Sequence, residues 1–257
     1  QRWEISRVTV MFRGSPVTVA LEGIFAHTAN DIWVAGSIPM HCGGVSWFGY
    51  DIQLLVGAGA TVSRMWGTTQ EMYFVGRTGN IIRYANGTWQ RVESGTNADM
   101  QNVWGYIDHS KQTVLGIASS PGETKVLSVS QLGARDTFAW PINQRLRGIW
   151  MSNRFTVYVS GPGIWRNTGF AWRHMSGAPQ TQFLTSVRGT LENNIFAVAW
   201  RGVLAHFNGA SWNQYSEVPA DFNFDAVAVS QNLVVAVGFT GGLFPDRAAA
   251  VIGRRTH

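Results

Sequence analysis

The sequence predicts an all-β fold, a six-bladed β-propeller, and three observations support this prediction. An apolar element recurs six times along the 257 residues, with 38 to 46 residues between the starts of successive copies. A second short run, rich in β-branched and aromatic residues, follows each copy. Hairpin signals come next in several repeats, and four antiparallel strands per repeat make one propeller blade. We therefore expect residues 1–257 to form a single propeller domain.

The first two elements of each repeat have the length and composition of buried strands. The innermost strand of each blade is predicted at IFA (24–26), MWG (65–67), VWG (103–105), IWM (149–151), VRG (187–189) and VAV (227–229). The second strand is predicted at DIWVAG (31–36), EMYFVG (71–76), TVLGI (113–117), TVYVS (156–160), NIFAVA (194–199) and LVVAVG (233–238). Such short runs, often closed by glycine, are typical of strands buried on both faces rather than of helices.

The third and fourth elements form a hairpin. IIRYANGTWQRV (81–92) and VLAHFNGASWNQY (203–215) each place Asn-Gly between apolar runs, which favours a type I′ turn. A tryptophan marks the fourth strand of four repeats: Trp89, Trp140, Trp172 and Trp212. The predicted blades span approximately residues 21–56, 62–94, 100–140, 146–175, 184–216 and 224–255.

The sixth repeat ends after its third strand, and the N-terminus carries the missing piece. Residues 1–6 read QRWEIS, which matches the tryptophan-containing signature of a fourth strand. An unpaired strand edge invites association with other chains, so pairing the two ends of the chain is favourable. We expect residues 2–8 to complete the last blade.

Composition narrows the classes of partner. Charged residues make up 14% of the chain, below the roughly 25% that is typical of soluble domains. The net charge is +5, and Lys111 and Lys125 are the two lysines among 20 basic residues. The arginine bias fits either codon preference or an anionic partner, whereas the absence of Lys-rich runs argues against nucleic acid. No transmembrane segment is predicted, which leaves membrane association through a partner open.

The sequence offers little for catalysis. Cys42 is the single cysteine, so neither an internal disulfide nor a C-x-x-C zinc site can form. His41 next to Cys42, in a predicted loop, is a weak metal or thiolate candidate. The predicted inner strands supply one clear carboxylate, Asp225, and no paired acids. We predict no enzyme activity, no metal and no cofactor.

Four segments resemble a repeat found in many secreted or surface bacterial β-propellers. They are NDIWVAGS (30–37), MWGTTQEMYFVG (65–76), GNIIRYANGTWQRVESG (79–95) and GVLAHFNGASWNQYS (202–216). The repeat pattern is approximately W-G-x-x-x-x-D-[IV]-[WF]-A-V-G-x-x-G-x-[IV]-x-[HR]-[YF]-[ND]-G-x-x-W. This resemblance implies an exported propeller, extracellular or periplasmic, that binds a partner; it implies no reaction.

Two features mark the face on which we expect a ligand. Three loops between second and third strands look enlarged, at residues 37–43, 119–125 and 239–247, and long loops on a rigid scaffold often carry function. Charged residues stand at or near the starts of innermost strands: Arg64, Arg145, Arg147, Arg188 and Asp225. The arginines would form a basic channel mouth for carboxylate, sulfate or phosphate, or else would pair with local carboxylates and carbonyls. Arg188 stands where other blades have tryptophan.

Tryptophans outside the repeat pattern are candidates for exposed stacking surfaces. Trp47, Trp165 and Trp200 do not recur in the aligned repeats, and Arg201 follows Trp200 directly. The function predicted first is a non-catalytic module that docks a protein partner in an exported or membrane-associated assembly. The alternatives are lectin-like recognition of a glycan or anionic polymer and, second, metal-dependent hydrolysis.

Overall fold

The structure is a computed structural model that describes residues 9–12, 14–109, 111–138, 140–141, 144–180, 182–241 and 247–254. Apart from a single one-turn helix, the regular secondary structure of the described residues consists of β-strands. The backbone contacts divide the chain into two compact units. The first comprises Gln1–Val103 with Ser128–Arg135, and the second comprises Trp104–Leu127 with Asp136–His257.

The strands form one short hairpin and six antiparallel sheets, and in each sheet the strand order follows the chain. The hairpin is β1 (Thr9–Phe12) and β2 (Ser15–Thr18). Blade one is β3 (Leu21–Thr28), β4 (Asp31–Gly36), β5 (Met40–Cys42) and β6 (Trp47–Gly49), followed by α1 (Gln53–Val56). Blade two is β7 (Val62–Gly67), β8 (Glu71–Gly76), β9 (Ile81–Ala85) and β10 (Thr88–Val92). Blade three is β11 (Met100–Asp108), β12 (Lys111–Ser120), β13 (Glu123–Ser130) and β14 (Gly133–Phe138).

The last three blades lie in the second unit. Blade four is β15 (Gly148–Met151), β16 (Val157–Gly161), β17 (Gly163–Asn167) and β18 (Trp172–His174). Blade five is β19 (Leu184–Leu191), β20 (Asn194–Ala199), β21 (Leu204–Phe207) and β22 (Trp212–Gln214). Blade six is β23 (Phe222–Ser230), β24 (Leu233–Thr240) and β25 (Arg247–Arg254).

Six sheets built by consecutive antiparallel strands confirm the predicted fold class, a six-bladed β-propeller. Blade six has three strands among the described residues, and the fourth strand predicted at residues 2–8 lies outside them. In the part of the chain that the structure describes, no helix has the length and hydropathy to cross a membrane.

A β-bulge recurs in the innermost strands and fixes their register. The pairing of the first two strands skips one residue in four blades: Glu22, Ser63, Thr185 and Asp225. In each case the skipped residue lies two positions before the apolar motif that defines the repeat. A bulge bends a strand and increases its twist, so its repetition gives these blades the same local geometry.

Within each unit, the hydrophobic core includes layers between adjacent blades. In the first unit, Trp33 and Phe74 belong to a layer shared by blades one and two. In the second unit, one layer shared by blades four and five contains Trp150 and Leu184. Trp33 and Phe74 come from the second strands β4 and β8, whereas Trp150 and Leu184 come from the innermost strands β15 and β19. Second strands such as β8 are buried on both faces, as expected from their continuous apolar sequence.

Two of the predicted long loops are wrong. Residues 37–43 contain strand β5, and residues 119–125 are two strand ends joined by a turn at Pro121 and Gly122. The sequence prediction assigned polar strand ends to the loop, because β-hairpins extend beyond their apolar core. The third predicted loop, residues 239–247, begins with the end of β24, and its central residues 242–246 lie outside the described residues.

Candidate functional site

A polar ladder recurs on the second and third strands of the blades. In blade one, the His41 ring stacks on Trp33 at 4.1 Å between ring centroids, and Nε2 lies 2.8 Å from Asp31 Oδ1. In blade five, His206 stacks on Phe196 at 4.3 Å, and its Nε2 lies 2.9 Å from Asn194 Oδ1. The same contacts of a third-strand histidine, with an aromatic ring and with a polar side chain of the second strand, thus recur at equivalent positions of two blades.

The placement of His41 in a loop is therefore wrong. His41 lies in the middle of β5 and pairs with Trp33, just as Arg83 of blade two pairs with Tyr73. Its ring is held by an aromatic face and a carboxylate, which is the arrangement of a structural side chain. Cys42 is half-buried on the same strand.

Trp47 and Trp165 are packed rather than displayed. Trp47 pairs with Cys42 in the register in which Trp89 pairs with Tyr84, so Trp47 is the fourth-strand tryptophan of blade one and does recur. It packs against the hydrophobic cluster that contains Val10. Low sequence similarity hid this equivalence, because the first blade lacks the Asn-Gly turn.

Trp165 occupies an inter-blade position. Its ring lies edge-on to Trp140 at 5.4 Å and to His174 at 5.0 Å. It also packs against the cluster that contains Leu146 and Val159, so its apolar surface is used within the second unit. As an exposed stacking platform, Trp165 is therefore a poor candidate.

Arg64 and Arg188 both donate to backbone carbonyls. Arg64 Nη1 lies 2.7 Å from the Glu22 oxygen and 2.8 Å from the Ser63 oxygen. Arg188 Nη1 lies 2.8 Å from the oxygens of both Ile149 and Val187. In each case one guanidinium joins the innermost strands of two adjacent blades, which is the carbonyl-capping alternative considered for these residues.

Arg188 also replaces an aromatic side chain. It pairs with Phe196 as Trp150 pairs with Tyr158, and its guanidinium lies 4.1 Å from the centre of the Trp104 ring. A guanidinium over an indole face is a favourable cation–π contact. The position thus keeps its packing role with a different residue type.

The remaining channel-mouth candidates lie in the second unit. Arg145 is exposed, and the amide of the half-buried Arg147 donates to the Ser160 oxygen at 2.8 Å. Asp225 is half-buried at the bulge of β23. Arg145, Arg147 and Arg188 share this unit and Arg64 lies in the other; an anion site at a channel mouth stays a prediction.

Trp200 and Arg201 form an exposed site on a rigid turn. Trp200 is 50% exposed, and its ring meets Phe239 edge-on at 6.2 Å. Phe183 is 41% exposed and precedes Leu184, the strand partner of Ala199, so it lies at the same end of blade five. We call Phe183, Trp200, Arg201 and Phe239 the loop patch.

The turn under the loop patch is fixed by backbone geometry. Arg201 has φ +60° and Gly202 has φ +72°, as a type I′ turn requires. The Arg201 amide donates to Asn223 Oδ1 at 3.2 Å, and the Gly202 amide donates to the Phe222 oxygen at 2.7 Å. In blade two, Thr78 donates in the same way to Asp99 Oδ1. The repeat thus supplies the turn, and Trp200 is the blade-specific addition.

A groove of about 840 Å³ lies between blades five and six. Phe196, His206 and Tyr215 line one side, and Val251 and Gly253 of β25 line the other. The walls combine apolar side chains with the polar His206 and Tyr215, and β25 forms the wall on the side of blade six.

Several buried tyrosines have altered acidity. Burial raises the pKa of Tyr73 to about 12, and the nearby Glu71 carboxylate adds to the shift. Burial likewise raises the pKa of Tyr158 to about 12, with Glu192 raising and Arg166 lowering it. Both phenols stay neutral at physiological pH, so they act as packed polar groups rather than as acids or bases.

Among the described residues, no group of three or more His, Cys, Asp or Glu side chains is arranged to hold a metal ion.

The residues that sequence reasoning missed are Phe183 and Phe239, the other two aromatic members of the loop patch. Register alignment of the repeats provides the signal for them, because the entry to an innermost strand and the turn between the second and third strands lie at the same end of a blade.

Comparison with known proteins supports the fold and leaves the family open. No protein-family model and no curated protein matches the sequence. A solved structure described as YCF48 bound to D1 peptide is 14% identical, covers 94% of this chain and 82% of its own, and has a TM-score of 0.68. The WD40 β-propeller domain of Doa1 is 10% identical, covers 85% of this chain and 89% of its own, and has a TM-score of 0.60.

A third similar structure is the computationally designed Ika8 protein, which is 13% identical over 89% of this chain and 87% of its own, with a TM-score of 0.59. At these identities the similarity establishes a β-propeller fold. Function has to be argued from the site.

Proposed function

We propose that this chain is a non-catalytic β-propeller that docks a protein partner through the loop patch. The observation that carries the proposal is Trp200, a half-exposed tryptophan with Phe239 behind it and Arg201 beside it. Tryptophan, tyrosine and arginine dominate the binding energy of protein interfaces, and they act best where the surroundings hold them in place. The hydrogen-bonded turn meets that requirement.

The loop patch also departs from the repeat. The position of Trp200 is taken by Arg77 in blade two, on a turn of the same geometry. A side chain needed for packing would be repeated from blade to blade, as Trp89 and Trp212 are. Within the part of the chain that the structure describes, the Trp200 ring contacts the Phe239 ring, and half of the Trp200 surface is exposed, so this packing does not account for it.

The similar structures agree with a binding role. The YCF48 structure is described as bound to a peptide, and propellers present loops on a rigid scaffold. Low charge and exposed aromatics suit a polar, aromatic-rich protein interface. A peptide or a protein loop is therefore the class of partner that we propose.

The proposal includes export and membership of the secreted or surface propeller repeat family. The supporting observations are the repeat segments, of which residues 65–76 and 202–216 are the clearest. Cell fractionation with an antibody against this chain tests the location. Recovery in the periplasmic or extracellular fraction supports export, and recovery in the cytosol contradicts it.

The loop patch is tested by selecting displayed peptides on the immobilised protein and measuring their affinities for variants. Trp200→Ala should weaken binding by at least about tenfold, since central tryptophans contribute about 2 kcal/mol or more. Phe170→Ala is the matched control, because Phe170 is 96% exposed on the β17–β18 turn.

Equal affinities of the selected peptides for both variants would contradict the role of the loop patch. A glycan array provides the opposing arm. Saturable sugar binding that quenches tryptophan fluorescence in the wild type and in Phe170→Ala, but not in Trp200→Ala, would replace the protein partner with a carbohydrate.

A further inference from the structure

The polar ladder has a different composition in blade four. In blades one, two and five, the third-strand His or Arg contacts an acceptor at the start of the second strand: Asp31–His41, Glu71–Arg83 and Asn194–His206. In blade four the third-strand residue is Arg166, which pairs with Tyr158 in the same register. The acceptor position holds Thr156, and neither a carboxylate nor an amide is present there.

Thr156 is engaged elsewhere. Its Oγ1 accepts a hydrogen bond from Asn153 Nδ2 at 3.1 Å. The acid of this region, Glu192, accepts hydrogen bonds from Ser152 and from Asn153, each at 3.1 Å. Thr156 and Glu192 are therefore used to hold the β15–β16 turn. The polar group beside Arg166 is the neutral phenol of Tyr158, whose pKa burial raises and Arg166 lowers.

A second arginine stands directly opposite Arg166. Arg173 on β18 is its strand partner, and the next residue is His174. Like charges directly opposite each other on neighbouring strands are destabilising. The equivalent pairs in other blades are Arg83 with Gln90 and His206 with Asn213, which avoid this repulsion. Blade four thus combines a lost acceptor with an added cation.

These groups line one pocket. Its volume is about 410 Å³, and its walls include Arg166, Arg173, His174, Thr168 and Ser176. Phe207 and Ala210 of blade five close the apolar side. The described residues that line the pocket are basic, hydroxyl-bearing or apolar, and none of them carries a carboxylate.

We propose that this pocket binds the oxyanion group of a small organic phosphate or carboxylate. Two guanidiniums on adjacent strands offer forked donors that match an oxyanion, and the hydroxyls of Thr168 and Ser176 add neutral donors. The volume exceeds that of the anionic group alone and lies at the lower end of the range for small-molecule sites. An anion between Arg166 and Arg173 would also remove their repulsion.

Calorimetric titration and thermal unfolding of the wild-type protein test the pocket with inorganic phosphate, citrate and chloride at matched ionic strength. Phosphate or citrate should bind saturably and raise the Tm, whereas chloride should not. Stronger binding of phosphate than of citrate identifies a phosphate-bearing ligand, and the reverse order identifies a carboxylate. Equal small effects of all three salts would overturn the proposal.

Arg173→Gln is the sharpest variant because it separates binding from folding. It should weaken anion binding at least tenfold while leaving the anion-free protein as stable as the wild type or more stable, because it removes the like-charge pair. Arg91→Gln is the control, since Arg91 is a partly exposed arginine near Glu93 in blade two. Undiminished anion binding in Arg173→Gln would show that the pocket is not the site.

This inference is independent of the loop patch. Arg173→Gln should not change the affinity of partner peptides selected in the loop-patch experiment, and Trp200→Ala should not change anion binding. Failure of one experiment therefore leaves the other proposal intact.

Discussion

The layer between blades one and two is filled, whereas the layer between blades five and six contains a groove. In the filled layer, the Trp89 ring lies 4.9 Å from Tyr84 and 5.2 Å from both Tyr50 and Phe74, measured between centroids. Blade five contributes to the groove the same kinds of side chain that blade one contributes to the filled layer. Phe196 and His206 repeat the stack of Trp33 and His41, and Tyr215 follows Trp212 as Tyr50 follows Trp47.

The difference comes from the following blade. In blade six, Ala236 occupies the register position of Phe74, and Gly253 occupies that of Tyr84. The counterpart of Trp89 would lie on a fourth strand, which is predicted at residues 2–8. Of the three aromatic side chains that fill the first layer, two are thus replaced by small residues, and the position of the third falls on residues that the structure does not describe. The repeated backbone fixes the space between two adjacent blades, and the size of the side chains determines whether that space is filled.

Truncation of an aromatic side chain in the filled layer should give the largest loss in the free energy of unfolding. Trp89→Ala removes a ring packed among four aromatic side chains, and large-to-small substitutions of this kind cost about 3–5 kcal/mol. Urea unfolding monitored by circular dichroism measures the change in the free energy of unfolding. Trp200→Ala is the control and should change stability by less than about 1 kcal/mol. Equal losses in the two variants would mean that Trp89 is not a core residue.

A smaller effect should follow from Trp3→Ala. If residues 2–8 form the fourth strand of blade six, Trp3 is the counterpart of Trp89 and enters the groove, where larger neighbours are missing. We expect a loss of about 2–4 kcal/mol, lower than for Trp89→Ala because fewer aromatic contacts are available. Trp212→Ala in blade five is the matched comparison. An unchanged free energy of unfolding for Trp3→Ala would argue against the predicted closure.

The fold can be predicted from the sequence because each repeat is marked by patterns that extend over only a few residues. Apolar second strands such as EMYFVG and turns such as Asn86-Gly87 are local, and their spacing is visible without knowledge of contacts. The sequence alone misplaces His41 and Trp47 for the opposite reason. Blade one has short outer strands and no Asn-Gly turn, so its equivalence to the other blades appears only in the pairing register.

The candidate sites are less accessible to sequence reasoning. Trp200 and Arg201 stand out because they break the repeat, and exposure then distinguishes Trp200 from the packed Trp165. Arg188 joins two strands by hydrogen bonds to two backbone carbonyl oxygens, and a pattern of side chains in the sequence does not predict such bonds. The Arg166–Arg173 pair likewise requires knowledge of which residues face each other across β17 and β18.

The smallest predicted effect is on the pH dependence of the free energy of unfolding. It again distinguishes blade two, which has a buried tyrosine, from blade six, which has an apolar residue at that position. Tyr73 is 3% exposed in the ladder of Glu71 and Arg83, and the equivalent position in blade six is Val235, opposite Ile252. Burial raises the pKa of Tyr73 to about 12 from its usual value near 10. Below pH 10 both the folded and the unfolded states keep the phenol proton. Between pH 10 and 12 the unfolded state loses it first, so the free energy of unfolding falls.

Tyr73→Phe should remove that part of the alkaline destabilisation, at most about 2–3 kcal/mol for a two-unit shift. Urea unfolding at pH 9 and at pH 11.5 measures it as the difference between the wild type and Tyr73→Phe. Val235→Ala is the control in blade six: it should alter stability by the same amount at both pH values, because it removes no titrating group. If the Tyr73→Phe difference is also the same at both pH values, the buried phenol does not contribute to the pH dependence. In that case the polar ladder of blade two would stabilise the fold by packing alone, as the apolar positions of blade six do.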